Sequence, residues 1–150
     1  AFLMRDMDKA VARIEKALAA GEKIAAFTDL KPGSQQFHIV TLPKEGDLDS
    51  FCRTTRAKSE AQQTFLDQSG ELDDLIYFSC TPWFDLTGCT NERDFDKDDN
   101  IPRITWGKYV PADGRETLGM CLEVNHRFVD GWHLGQFYQH LQQAIDALKI

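Results

Sequence analysis

The sequence has little of what marks a membrane-spanning, secreted, metal-bound or nucleic-acid-binding protein. No apolar run approaches the roughly 20 residues that cross a bilayer as a helix. The N-terminus carries no basic stretch leading into an apolar one, the pattern of a signal peptide. Cysteine is limited to Cys52, Cys80, Cys89 and Cys121, far apart and without a C-x-x-C pair. That spacing fits neither a disulfide-dense scaffold nor a zinc site, so reduced thiols in a cytoplasmic protein are expected. Positive charge is scarce, with 17 Lys plus Arg against 24 Asp plus Glu and a net charge of −7, which argues against an extended basic footprint for nucleic acid. Internal repeats, low-complexity tracts and interdomain linkers are missing as well. What remains, 42% hydrophobic and 27% charged residues in a chain of 150, is the composition of one globular domain. Such a domain buries roughly 70% of its unfolded surface. The chain opens on apolar Ala1-Phe2-Leu3-Met4 with no initiating methionine, turn or cap, which reads as a start inside a longer protein.

Periodicity lays out the elements. Val11, Ile14, Ala17 and Leu18 at helical spacing, between Asp6 and Asp8 and the stop at Gly21, predict a helix over Asp8 to Ala20. Ile24 to Phe27 reads as a short strand, Leu30 to Ser34 as a turn, and Phe37 to Leu42 as a β-rich run. Asp47 caps a second helix reaching about Phe65, with Leu48, Phe51, Cys52 and Thr55 on one face. Leu75 to Cys80 is a short apolar run stopped at Pro82, as a buried strand would be. Arg103 to Val110 and the alternating Leu118, Met120, Leu122 and Val124 form two strands around the turn Pro111 to Arg115. Leu134, Phe137, Tyr138, Leu141, Ile145 and Leu148 give a C-terminal amphipathic helix, read as core packing. Strands interspersed with long helices point to an α+β sandwich with helices against one main sheet.

Between them, Asp85 to Asn100 is a loop crowded with Asp94, Asp96, Asp98 and Asp99. It lacks the glycine and the terminal glutamate of a calcium-binding loop and reads as a solvated acidic segment. The chemistry concentrates in Asn125-His126-Arg127-Phe128-Val129-Asp130-Gly131-Trp132-His133, between a strand and the last helix. Histidine is the side chain whose ordinary pKa suits proton abstraction near neutrality, and strand ends hold such groups rigid yet exposed. The alternative is a histidine satisfied by backbone in a strand-to-helix turn. His126, His133 and His140 recur every seven residues, but ligands two turns apart on a helix do not converge on one ion, so no metal is expected.

The stretch Asn125 to His133 resembles the H-H-x-x-x-D-G motif of the chloramphenicol acetyltransferase family. Ser79-Cys80-Thr81-Pro82-Trp83 resembles that family's S-x-x-P-W segment, and Thr105-Trp106-Gly107-Lys108-Tyr109 its T-x-G-K-Y strand. The order and separations agree from Leu75 to Leu141, and the resemblance extends back to Phe37. Asn125-His126-Arg127 is also close to the D-H-R spelling of dihydrolipoamide acyltransferases, but Ser79 to Trp83 spells the first family.

The resemblance implies a two-layer α+β sandwich with a mixed main sheet covered by helices, in a single domain over residues 1–150 that lacks the family's N-terminal segment. It implies acetyl transfer from acetyl-CoA to the hydroxyl of a small molecule in a ternary complex. In that scheme His126 is the general base and Ser79 the oxyanion donor. Thr105 is associated with an ordered water, and Asp130 supports the His126 loop by charge pairing. Trp83, Lys108 and Tyr109 flank the coenzyme tunnel, and the protein is a homotrimer with sites between subunits. Each residue also has a bland reading. Ser79 could be satisfied by backbone bonds, Trp83 and Tyr109 could be core or interface aromatics, and Lys108 a solvated charge. Departures stand out too: Asn125 replaces the motif's first histidine, and Cys89, Asn91, Glu92 and Arg93 stand where the drug enzymes place apolar lining. No arginine, Arg5 and Arg13 included, stands in the context of the family's partner for Asp130. These departures leave a catalytically degenerate, ligand-binding or structural relative as the alternative.

Overall fold

In the computed structural model of the chain, residues 24–31, 33, 35–43, 46–66, 75–92, 97 and 99–147 are described. The helix expected over Asp8 to Ala20, Arg5, Arg13, Arg93 and Leu148 lie outside them. The strands are β1 (Ile24–Leu30), β2 (Phe37–Pro43), β3 (Leu75–Cys80), β4 (Arg103–Ala112) and β5 (Arg115–Glu123). The helices are α1 (Leu48–Ala61), between β2 and β3, and α2 (Gly131–Asp146), after β5.

The five strands form one mixed sheet in the order β2-β1-β3-β4-β5. β1 runs antiparallel to β2 and parallel to β3, β3 is parallel to β4, and β4 is antiparallel to β5. The architecture is therefore α+β, with a parallel centre and an antiparallel pair at each edge. β1 continues to Leu30, three residues beyond the expected end, because Leu30 still pairs with Phe37 across the hairpin. β4 likewise runs through Pro111 to Ala112, and the turn narrows to Asp113 and Gly114, both at positive φ (50° and 76°). Two consecutive left-handed residues match the twist of a tight hairpin, and Asp-Gly is the dipeptide that tolerates it best.

Ala26, Val40, Leu42, Leu75, Leu86 and Ile104 make the apolar core. Asp47 caps α1 as expected, its carboxylate accepting the Ser50 N–H at 2.8 Å. The helix ends at Ala61, and its inward face differs from the one periodicity suggests. Leu48 and Cys52 are exposed, whereas Ser59 is buried. The reason is polar: Ser59 Oγ lies 2.9 Å from Nε2 of His38, which is 1% exposed, and the same hydroxyl donates to Asp29. Lys58 donates to the Thr41 carbonyl, and Gln62 Nε2 to that of Ile39 at 2.7 Å. α1 is thus tied to β2 by hydrogen bonds more than by apolar stripes. β3 is more open than a buried run implies, since only Leu75 is buried and Ile76 is exposed. α2 buries none of its residues; Leu134, Phe137 and Leu141 are half-covered, and Tyr138 and Ile145 are exposed. Among the described residues that stripe does not form core, and Tyr138 reaches the Met120 carbonyl at 3.4 Å.

Two glycines seat the loop that follows β3. A Cβ at Gly119 would stand 1.7 Å from the Leu86 carbonyl oxygen, and one at Gly107 would stand 2.6 Å from Leu86 Cβ. Phe84 to Leu86 therefore runs directly over β4 and β5, where Lys108 N–H donates to the Phe84 carbonyl at 2.9 Å. This contact brings residues 89–92 back onto the sheet. No helix among the described residues is long and apolar enough to cross a membrane.

Candidate active site

Ser79 and Thr105 are register partners on adjacent parallel strands, so their side chains leave the same face of the sheet at about one strand spacing, ~4.8 Å. Thr28 follows Phe27, the register partner of Phe78, and its hydroxyl donates to Ser79 Oγ at 3.3 Å. The three hydroxyl residues open on a cleft of about 690 Å3. That volume suits a small molecule. Phe27, Phe37, Tyr77 and Phe78 give the cleft an aromatic side, and Asn91, Glu92 and Arg103 a polar one.

The polar side is built from the loop seated over the two glycines. Thr105, 5% exposed, donates its hydroxyl to Asn91 Oδ1 at 3.2 Å. The Asn91 backbone N–H and Nδ2 both donate to Glu123 Oε2, at 2.9 and 3.2 Å. Arg103 pairs with Asp99 at 2.9 Å and donates to the Ile101 carbonyl at 3.0 Å, with its guanidinium 6.0 Å from the centre of the Tyr77 ring. Cys89 and Cys121 sit behind Thr105, and Cys121 Sγ donates to the Cys89 carbonyl at 3.2 Å. Burial, above all, pushes the Cys89 thiol up from its ordinary value, and burial raises Cys80 as well, so both remain protonated at neutral pH.

His126 is not among the residues lining this cleft. It stands exposed in the turn between β5 and α2, with no side-chain hydrogen bond to any described residue. The turn itself is held firmly. Asn125 Nδ2 donates to the carbonyls of Lys97 (2.9 Å) and Asp99 (2.8 Å), Asn125 Oδ1 accepts the Arg127 N–H at 3.0 Å, and Arg127 Nη1 donates to Lys97 at 3.0 Å. The Asn125 carbonyl accepts the N–H groups of Phe128 and Val129 at 3.0 and 3.1 Å. Asparagine at the motif's first position thus works as a clamp.

Asp130 is the N-cap of α2. Its Oδ1 accepts the N–H groups of Trp132 and His133 at 3.0 and 3.2 Å and lies 2.7 Å from His133 Nδ1. The His133 N–H, chiefly, holds the Asp130 carboxyl below its ordinary range, helped by the His133 ring and the Trp132 N–H. Among the described residues, the side chain that meets the Asp130 carboxylate is His133, on its own helix. His133 and His140 both lie on α2, and His140 is exposed.

Trp83, Lys108 and Tyr109 are not at the cleft either. All three are exposed, Trp83 at 69% and Tyr109 at 60%, and the Phe84–Lys108 bond draws them to one neighbourhood along β4. Sequence reasoning missed Thr28, and it read Asn91 only as lost apolar lining. The first carries no motif, and the second depends on Glu123, 32 residues away. The alternation of small polar residues at the ends of β1 and β3 is the signal that could have exposed Thr28.

Residues 26–142 match the chloramphenicol acetyltransferase family model. A chloramphenicol acetyltransferase of Clostridium perfringens is 33% identical over 79 residues, covering 53% of this chain and 36% of that protein. One of Bacillus pumilus is 24% identical over 127 residues, covering 81% and 56%. Among solved structures, a chloramphenicol acetyltransferase superposes with a TM-score of 0.70 at 23% identity, over 80% of this chain and 60% of that one. A dihydrolipoamide acetyltransferase of Azotobacter vinelandii superposes at 0.55 and 14% identity, over 80% and 52%. The chain spans 36% and 56% of the lengths of the two curated relatives named here.

Proposed function

The chain belongs to the chloramphenicol acetyltransferase family, and from that premise we propose that it moves an acetyl group from acetyl-CoA to the hydroxyl of a small molecule. The observation that carries this reading is the set of hydroxyls in one cleft, with Thr28 donating to Ser79 beside Thr105. A serine hydroxyl that already accepts a hydrogen bond keeps its own hydrogen free to donate. Ser79 is therefore poised to hold the negative charge that develops on an attacked carbonyl oxygen, a role worth about 3 kcal/mol in acyl transfer.

Acetyl-CoA supplies the thioester carbonyl, and the residues present fit it: exposed rings of Trp83 and Tyr109 suit its base, and Lys108 its phosphates. His126 takes the proton of the acceptor hydroxyl as general base while both substrates are held together. Because His126 lies outside the cleft of its own chain, its exposure is best used across an interface, in a homotrimer where it enters a neighbour's cleft. The half-covered apolar face of α2 agrees with such an assembly. Chloramphenicol itself is disfavoured as acceptor, since Asn91 and Glu92 replace apolar lining and each buried apolar side chain contributes ~1.5–3 kcal/mol to holding a hydrophobic ligand.

Thiol release from acetyl-CoA across a panel of alcohols tests the reading, with sedimentation to verify the trimer. Turnover that falls at least ~100-fold in His126→Ala is the expected result. Full activity in that variant, or no thiol release with any alcohol in a verified trimer, overturns it.

A further inference from the structure

We propose that the alcohol this cleft accepts is an amino alcohol, with a protonated amine close to the hydroxyl that receives the acetyl group. The hydroxyl half of this proposal rests on the acetyl-transfer reading above; the amine half rests on the cleft alone. Hydrogen-bond direction on the polar side is set from Glu123. Its Oε2 accepts the backbone N–H of Asn91 at 2.9 Å, so the side-chain group of Asn91 facing the same oxygen at 3.2 Å is the NH2. The amide oxygen is thereby turned to Thr105, and the Thr105 hydroxyl spends its one hydrogen on it at 3.2 Å. Thr105 thus presents lone pairs to the cleft. The Cys89 side chain lies beside the same hydroxyl and engages it at one position at most.

Glu92, the next residue along the loop, lines the cleft with an exposed carboxylate and has no hydrogen-bond or ion-pair partner among the described residues. Arg103, the cation among the described lining residues, is already paired with Asp99. Among the described residues the polar side therefore offers two groups that accept, and the Glu92 carboxylate has no cation paired with it. A ligand that suits it brings donors and a positive charge, and an ammonium brings three N–H groups and one charge. The aromatic lining receives the hydrocarbon body and favours a nearby cation through its ring faces. An uncharged diol serves Thr105 but leaves the Glu92 charge unanswered.

Calorimetry with the intact chain at neutral pH tests this, using 2-amino-1-phenylethanol and its uncharged counterpart 1-phenyl-1,2-ethanediol. The amine is expected to bind at least ~10-fold more tightly, the scale of a hydrogen bond to a charged group. Glu92→Gln keeps the shape and is expected to bring the ratio below about threefold. Equal affinity, tighter diol binding, no binding of either compound, or a preference that survives Glu92→Gln overturns the proposal. Thiol release with the same pair separates the two readings. Acetylation of the diol without any preference for the amine removes this inference and leaves acetyl transfer standing. Amine-selective binding with no thiol release from any alcohol does the reverse.

Discussion

Ser79, Thr28 and Thr105 sit on three neighbouring strands, where the ladder itself sets the spacing between side chains. His126 stands in a turn past the last strand, where nothing repeats and single hydrogen bonds from Asn125 and Arg127 hold the backbone. The spacing of the cleft's hydroxyls is therefore set by backbone pairing, while the turn is held by side-chain bonds. The contrast also divides the labour of the proposed reaction. A preorganised donor belongs on a rigid sheet, and a base that reaches toward another subunit belongs on a projecting turn.

Mutations can break that contrast. The largest effect is expected from His126→Ala, which lowers acetyl-transfer turnover by ~10²–10⁴-fold while leaving Tm unchanged, because the ring is exposed and bonds to no described residue. Ser79→Ala is expected to cost ~10²–10³-fold in kcat, again with little change in Tm. Kinetics beside thermal melts checks both, and a variant that loses activity only in step with its fold merges the two regions into one structural role.

Gly119→Ala strikes the seat of the loop. Its Cβ has no room beneath the Leu86 carbonyl, so the loop must lift at a cost of ~1–3 kcal/mol, read by denaturant unfolding. Asn125→Ala strips the clamp from the His126 turn. It is expected to destabilise by ~1–2 kcal/mol and to lower kcat more than it raises KM, since His126 is displaced and the cleft is not. The smallest effect is that of Asp130→Ala, which removes the cap of α2 and lowers Tm at neutral pH, whereas Asp130→Asn restores much of it. The Asp130 carboxyl titrates lower when folded than when unfolded. Its contribution is therefore present above the ordinary carboxylate value and is lost as pH falls through the lowered one. Melts of wild type and Asp130→Ala should converge in strong acid and stay parallel from pH 5 upward.

Much of this was legible in the chain. Alternation in Leu118 to Leu122, the Asp-Gly turn and the Asp47 cap depend on neighbours in sequence, and local geometry honours them. The inward face of α1 was not legible, because Ser59 is drawn in by His38 and Asp29 from strands that periodicity cannot place beside it. Nor was the exposure of α2: an apolar stripe states that a surface needs covering and leaves open which molecule covers it. Ser79 and Thr105 could be named in advance as candidates and both line the cleft, whereas His126 and Asp130 are not among its lining residues. The sheet register then set Ser79 beside Thr105, while Asp130 turned out to hold His133.

Most local elements and the family are readable along the chain, since they follow from short-range periodicity and spelled motifs. The packing of distant segments is what brings Thr28 to Ser79, turns Asn91 toward Thr105 through Glu123, and leaves His126 out of the lining of its own chain's cleft. Those outcomes depend on strand order and on a loop folded back over two glycines, contacts between residues tens of positions apart that no local pattern encodes.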